Sequence, residues 1–318
     1  MKEVSTSLPT YFGLSGRGVK DRGGYICKTE NGLARIFKTN DSPSVIAKRY
    51  ALLESLGSAG LANIDKIYLS RHGLPHVNLG RDTYIMMQLI KGREVDFNNR
   101  EEVISVVEAL AGFHKVARGL GNGLPAAASV LEVWQKENAG LVQSLKQAQR
   151  SSRLSDFDVL VIKNAPKYMD NAAAATDALS KTDYILLQRD AIAKGAVCHN
   201  VIKEENLPLV SGQCFITHFV DPSYDLQLAD LAGLVRRYIK HSNCSIELAE
   251  IAEIYDKIMP LPDAALEILS AFLIYPWPFA KTVKEYYSKK RGWTPVGTMS
   301  RLTSVLEEQP IIEKYLKL

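Results

Sequence analysis

The sequence predicts an α+β protein of two unequal lobes, a small β-rich N-lobe over residues 1–90 and a large helical C-lobe over residues 91–318. Three observations carry this. The first quarter holds short β-branched and aromatic runs bounded by glycine-rich turns. From Glu101 onward apolar residues recur mostly at helical spacing. Inside that helical remainder one stretch, Val197 to Arg237, interrupts the pattern with a short apolar piece, a loop, a β-like run and then a helix. With 318 residues, 46% hydrophobic and 23% charged, the chain can bury one large core. A net charge of +4 is mild and gives no argument for nucleic acid. The basic run Lys289-Lys290-Arg291 fits a solvated helix end.

In chain order, Gly13, Gly16, Gly18, Gly23 and Gly24 punctuate the opening. Tyr25 to Thr29 reads as a strand, Glu30-Asn31-Gly32 as a hairpin turn, and Leu33 to Lys38 as the return strand. Pro43 opens a helical pattern reaching Leu56, with Ile46, Tyr50, Leu53 and Leu56 on one face and Gly57 as the stop. Ile64 to Leu69 and Tyr84 to Leu89 are further strand candidates. Ile90-Lys91-Gly92-Arg93-Glu94 then reads as the connector between lobes. Val103, Val106, Val107, Leu110, Phe113 and His114 line one face of the first C-lobe helix. Residues 130–195 read as two or three helices, and residues 246–318 are again helical.

The interrupting stretch places His199 seven residues before Asn206, then the run Gln213 to Phe219, a turn at Asp221-Pro222-Ser223, and Asp230-Leu231-Ala232 on a helix. That is the layout of the catalytic half of a kinase-like phosphotransferase: His-x-Asp-x-x-x-x-Asn, a strand bearing a metal-binding Asp, and a buried Asp-Leu-Ala. Two acidic positions are changed. Val201 stands where the catalytic Asp belongs, and His218 where the metal-binding Asp belongs. On this frame Lys38, with Arg35 as rival, is the candidate for the phosphate-contacting cation. Glu54 is its candidate helix partner, and Met87 to Leu89 would meet an adenine ring.

Further strings match one family. Tyr84-Ile85-Met86-Met87, Gly92-Arg93-Glu94-Val95-Asp96-Phe97, Ala109-Leu110-Ala111-Gly112-Phe113-His114, Arg118-Gly119, Cys198-His199, Asn206, Tyr224-Asp225 and Asp230-Leu231-Ala232 resemble the CotS-like family of bacterial spore coat proteins. Phe272 to Phe279 and Tyr286-Tyr287 fit the same pattern. These proteins are relatives of aminoglycoside and choline phosphotransferases. The resemblance implies a protein-kinase-like bilobal fold, a place in the mother cell and then in the spore coat, and other coat proteins as partners. It leaves activity open.

Phosphoryl transfer needs a metal to neutralise the phosphates and a group to orient the attacking hydroxyl. A carboxylate can do the second; Val201 cannot. Magnesium takes hard oxygen ligands, and His218 and Val220 supply none, leaving Asn206 and His218 as vestiges of a metal site. The sequence therefore predicts a degenerate, non-catalytic member with no cofactor, ATP with magnesium entering only if the cleft is still active. The enzyme alternative needs a substitute base from Glu204, Glu205 or Asp221. A third reading is a scaffold that binds nucleotide without metal through Lys38 and the connector. Zinc on Cys198, His199, Cys214 and His218 is disfavoured, because strand rise sets the last two about 13 Å apart. The thiols read as small buried apolar groups. No membrane span or signal peptide is legible, and four scattered Cys fit a reducing compartment.

Overall fold

A computed structural model describes residues 8–15, 18–21, 24–121, 123–150, 152–288 and 294–317. Gly16, Gly23 and the Lys289 to Arg291 run lie outside the described residues. The N-terminal region is an antiparallel sheet with strands β1 (Val19–Asp21), β2 (Gly24–Thr29), β3 (Gly32–Thr39), β4 (Ile67–Tyr68), β5 (Val77–Leu79) and β6 (Asp82–Leu89). Their order is β1-β2-β3-β6-β4, with β5 also on β6. The Asn-Gly turn forms as read: Thr29 pairs with Gly32, whose φ of 110° suits glycine.

Strand alternation sorts the sheet into two faces. Ala34, Ile36 and Met86 are buried in an outer cluster with Leu8, Phe12, Cys27 and Val77. Ile85 and Met87 join the main core with the helix α1 (Pro43–Ser58). Proline at the first turn and the Ser42 hydroxyl, which accepts from Val45 N–H, start that helix. Its buried face holds Ile46, Leu52, Leu53 and Leu56, and also a charged residue, Arg49.

The rest is helical: α2 (Arg100–Ala117), α3 (Val130–Gln149), α4 (Asp156–Ser180), α5 (Tyr184–Ala193), α6 (Leu228–His241), α7 (Leu248–Asp256), α8 (Ala265–Ile274), α9 (Trp277–Ser288) and α10 (Pro295–Tyr315). Residues 130–195 thus give three helices. A Ser155–Asp158 capping box opens α4, and Asn99 caps α2. Half-buried Arg236 of α6 donates to the carbonyls of Phe272, Leu273 and Tyr275 at the end of α8 and to Glu308 of α10. It thereby satisfies acceptors that a helix C-terminus leaves open.

Two strand expectations change. Within Gln213 to Phe219 only Gln213–Cys214 is a strand, β9, and it pairs with β8 (Leu209–Val210). The tight turn uses Ser211 and Gly212, both at positive φ, as a two-residue hairpin requires. Cys198 of β7 (Val197–Cys198) pairs with Ser223 of β10 (Ser223–Tyr224), not with the segment that carries Cys214 and His218. Within Ile64 to Leu69, only Ile67 and Tyr68 pair with β6, because Ile64 bridges instead to Ile216 of the C-lobe.

The connector is pinned. Arg93 and Leu209 exchange two backbone hydrogen bonds of 3.1 and 2.9 Å. A Cβ on Gly92 would lie 2.7 Å from the Leu209 carbonyl and 2.8 Å from Pro208 Cβ. Gly92→Ala is expected to cost about 1–3 kcal/mol through overpacking. A urea midpoint unchanged from wild type would contradict that close approach.

Candidate functional site

A cleft of about 450 Å³ lies between the sheet and the segments around residues 204–218. This is within the usual range for a ligand site. Arg35 and Phe37 line it from β3, Met87 to Leu89 from β6, and Asn206 and His218 from below. Lys38 is absent from this lining. It pairs with Tyr84 across the ladder, on the face opposite Arg35 and Phe37, and its ammonium bonds Asp82 at 2.6 Å. Glu54 is exposed on α1 and makes no ion pair with Lys38. The expected Lys38–Glu54 pair is therefore corrected. One residue of strand register moves a side chain to the other face, and of the two candidates it is Arg35 that lines the cleft, where it also meets Asp21 at 3.2 Å.

The loop from His199 to Asn206 is held from beneath. Asp230 accepts from the backbone N–H of His199 at 2.5 Å and of Asn200 at 2.8 Å, and from His114 Nε2 at 3.0 Å. A carboxylate only accepts, so His114 Nε2 donates to it, and the ring's Nδ1 meets the Tyr255 hydroxyl at 2.6 Å. Burial pushes Asp230 up, but His114, His199 and the amides together hold it below the usual carboxylate range. His199 is fully buried. Its Nδ1 takes the Val201 N–H at 3.3 Å and its Nε2 meets the Thr217 carbonyl at 2.9 Å. Burial first lowers its pKa, as a neutral bracing imidazole requires.

Two non-glycine residues of this region have left-handed backbone. Asn200 and His218 sit at φ 66° and 68°. Non-glycine residues adopt this region at a cost that surrounding bonds must offset. Asn200 is secured by its Nδ2 bonds to the Asp221 carbonyl at 2.7 Å and Ser223 Oγ at 2.8 Å. Asn206 Nδ2 donates to the Val201 carbonyl at 2.9 Å, and the Asn206 carbonyl accepts from Thr217 N–H. The substitute-base candidates are divided. Glu204 and Glu205 line the cleft, Glu204 with His241 at 3.1 Å and Glu205 with Lys203 at 3.7 Å. Asp221 lines a separate pocket with Val220, Pro222, Lys48 and Arg49.

The site holds one carboxylate the sequence reading missed. Asp65 is 2% exposed and lines the cleft. Its Oδ2 accepts the His218 N–H at 3.0 Å, while Oδ1 is buried without a hydrogen-bond partner among the described residues. Burial pushes this carboxyl up to about 7, against the smaller pull of the His218 amide, of its own backbone amide and of Arg49. Its one sequence signal was an acid between Ile64 and Ile67 inside an apolar strand candidate. His218 stacks on Phe37 with ring centroids 6.0 Å apart, and burial, then Arg35, lower its pKa. A neutral imidazole there, with Val220 two residues on and Val201 in the loop before Asn206, does not make a hard-oxygen site, so magnesium does not fit these three residues. Among the described residues no cluster of three or more His, Cys, Asp or Glu could hold a metal. Cys198 and Cys214 are buried, and burial raises both thiols.

The sheet, connector, braced loop and central α6 together define a kinase-like phosphotransferase fold. An aminoglycoside phosphotransferase from Alicyclobacillus acidocaldarius has the same fold at TM-score 0.81 and 17% identity, covering 95% of this chain and 90% of that one. Spectinomycin phosphotransferase, solved with ADP and spectinomycin, aligns at TM-score 0.70 and 12% identity, covering 98% of each chain. The chain belongs to the family described as "Spore coat putative kinase YutH", whose model matches residues 6–318. Spore coat protein S of Bacillus subtilis (strain 168) is 23% identical over 238 residues, 73% of this chain and 68% of that protein. The resemblance to spore coat relatives of aminoglycoside phosphotransferases is thereby borne out, as is the α+β class. No helix among the described residues is long and apolar enough to cross a membrane.

Proposed function

We propose that this chain is a structural and interaction protein of the endospore coat, which keeps a phosphotransferase frame as a scaffold and transfers no phosphate. One observation supports the reading: the loop from His199 to Asn206 is braced by Asp230, with Asn200 and His218 at positive φ, while the sequence puts Val201, His218 and Val220 where the frame's acids are expected. Other coat proteins are its partners on this reading, and the mother cell and then the coat its location, as family membership supports.

The test is calorimetry with ATP, with and without magnesium, beside an assay of phosphate release. Binding unaffected by magnesium and no release above buffer are expected. Tight magnesium-dependent binding with turnover of any hydroxyl substrate would overturn the reading. An enzyme relying on Glu204 or Asp221 is not favoured, since Glu204 is paired with His241 and Asp221 lines a separate pocket, which leaves Glu205 as the substitute base on the cleft. A metal-independent nucleotide scaffold is the second reading, and Arg35 on the cleft face favours it. A guanidinium can neutralise phosphate without a metal, so Arg35→Ala should weaken any nucleotide heat about tenfold.

A further inference from the structure

Residues 63–65 and 214–220 form a joint between the lobes. Asn63 Nδ2 donates to the Cys214 carbonyl and the Asn63 carbonyl accepts from Ile216 N–H, both at 2.9 Å. Ile64 bridges Ile216, Asp65 takes the His218 N–H at 3.0 Å, and Arg49 of α1 donates to the Val220 carbonyl. Every second residue of the lower segment is thus held by the N-lobe, and Asp65 is the only carboxylate side chain among these bonds. We propose that Asp65 is a proton-controlled latch: protonated, it holds the 214–220 segment closed against the N-lobe, and ionised, it loosens it.

The charges around Asp65 support this. Arg49, from α1, favours the ionised form, but one of its nitrogens is shared between Asp41 at 2.9 Å and the Val220 carbonyl, and its Nε is buried without a hydrogen-bond partner among the described residues. Arg35, from β3, is engaged with Asp21. The His218 ring is depressed by burial and by Arg35, so it brings no charge near neutrality. Lys203 and Glu205, on the loop below, act on His218 in opposite directions and lie 3.7 Å apart. The ionised carboxylate therefore keeps a buried oxygen with no donor, which is costly. The neutral acid still accepts the His218 N–H through its carbonyl oxygen. The folded value, about 7, lies above the unfolded one of about 4. The stabilisation is complete below about 4 and is lost as pH rises through about 7. The floor of the cleft, His218 and its neighbours, would then open to ligands on the alkaline side.

Amide hydrogen exchange of residues 216–219 in the full chain tests this from about pH 5 to 8.5. After correction for intrinsic exchange, protection should fall about tenfold per unit up to about pH 7 and then level, as a one-proton linkage demands. Asp65→Asn should flatten that slope. Asn63→Ala, which removes a neighbouring bond without touching the titrating group, should lower protection at every pH and keep the slope. A flat wild-type profile overturns the proposal even if Asp65→Asn does not fold. A slope that persists in folded Asp65→Asn overturns it as well. Calorimetry with ATP reads a different quantity, so failure of the latch and failure of the non-catalytic reading remain distinct.

Discussion

Asp230→Ala is expected to remove about 3–5 kcal/mol of folding stability, a large share of a typical domain's 5–15. The carboxylate receives three donors, the N–H groups of His199 and Asn200 and the ring of His114. Alanine leaves the His199 amide and the His114 ring buried and unpaired and the Asn200 amide without its partner, and a buried orphaned donor costs about 1–3 kcal/mol. It also releases Asn200, whose positive φ is held by those bonds. Urea unfolding of wild type and variant measures the loss. A change under about 1 kcal/mol would mean that the loop is held by Asn206 and Thr217 alone. Acid probes the same group, because its folded pKa is depressed: its stabilisation is present above about pH 4 and is lost as pH falls through the folded value. Asp65 has the opposite sign and acts in the window from about 4 to about 7.

Much of this frame was legible because it rests on elements with strong local signals. The Asn-Gly hairpin, the Pro43 helix start and the apolar face of α2 each have a turn, a cap or a 3.6-residue period behind them. Asp230 was legible from its place before Leu231-Ala232 on an amphipathic helix. What failed was register and non-local pairing. Lys38 and Arg35 both lie in one β run, and only the pairing Arg35 to Met87 tells which face meets the C-lobe. Asp65 was hidden for a related reason. Its segment looks like a strand, but it leaves the sheet after Ile67, read backwards along the chain, to bond the C-lobe. Arg49 reads as a surface charge on a helix. Its burial follows from a carbonyl, Val220, that lies 171 residues away. No local pattern encodes such a partner.

Putting the acids back tests how far the frame is still competent. His218→Asp with Val220→Asp is expected to create magnesium-dependent nucleotide binding, and Val201→Asp added to that pair to raise ATP hydrolysis by on the order of 10² to 10⁴, the usual worth of a positioned base. The scaffold favours the outcome at two points. Position 218 already has φ 68°, which aspartate tolerates better than most residues. The Asn206 amide already grips the Val201 carbonyl, so an acid at 201 would sit on a fixed backbone. Asp65 works against it, because a second carboxylate at 218 would share its buried corner, and like charges raise one pKa further. Adding Asp65→Asn should therefore shift magnesium binding to lower pH in the restored variant. Phosphate release and calorimetry decide the matter. If the wild type hydrolyses ATP with magnesium as fast as the restored chain, Val201 and His218 are not the reason for silence, and the scaffold reading fails. If the restored chain gains binding but no hydrolysis, the cleft has lost more than its acids, and the retained brace of His199, Asn206 and Asp230 serves the fold alone.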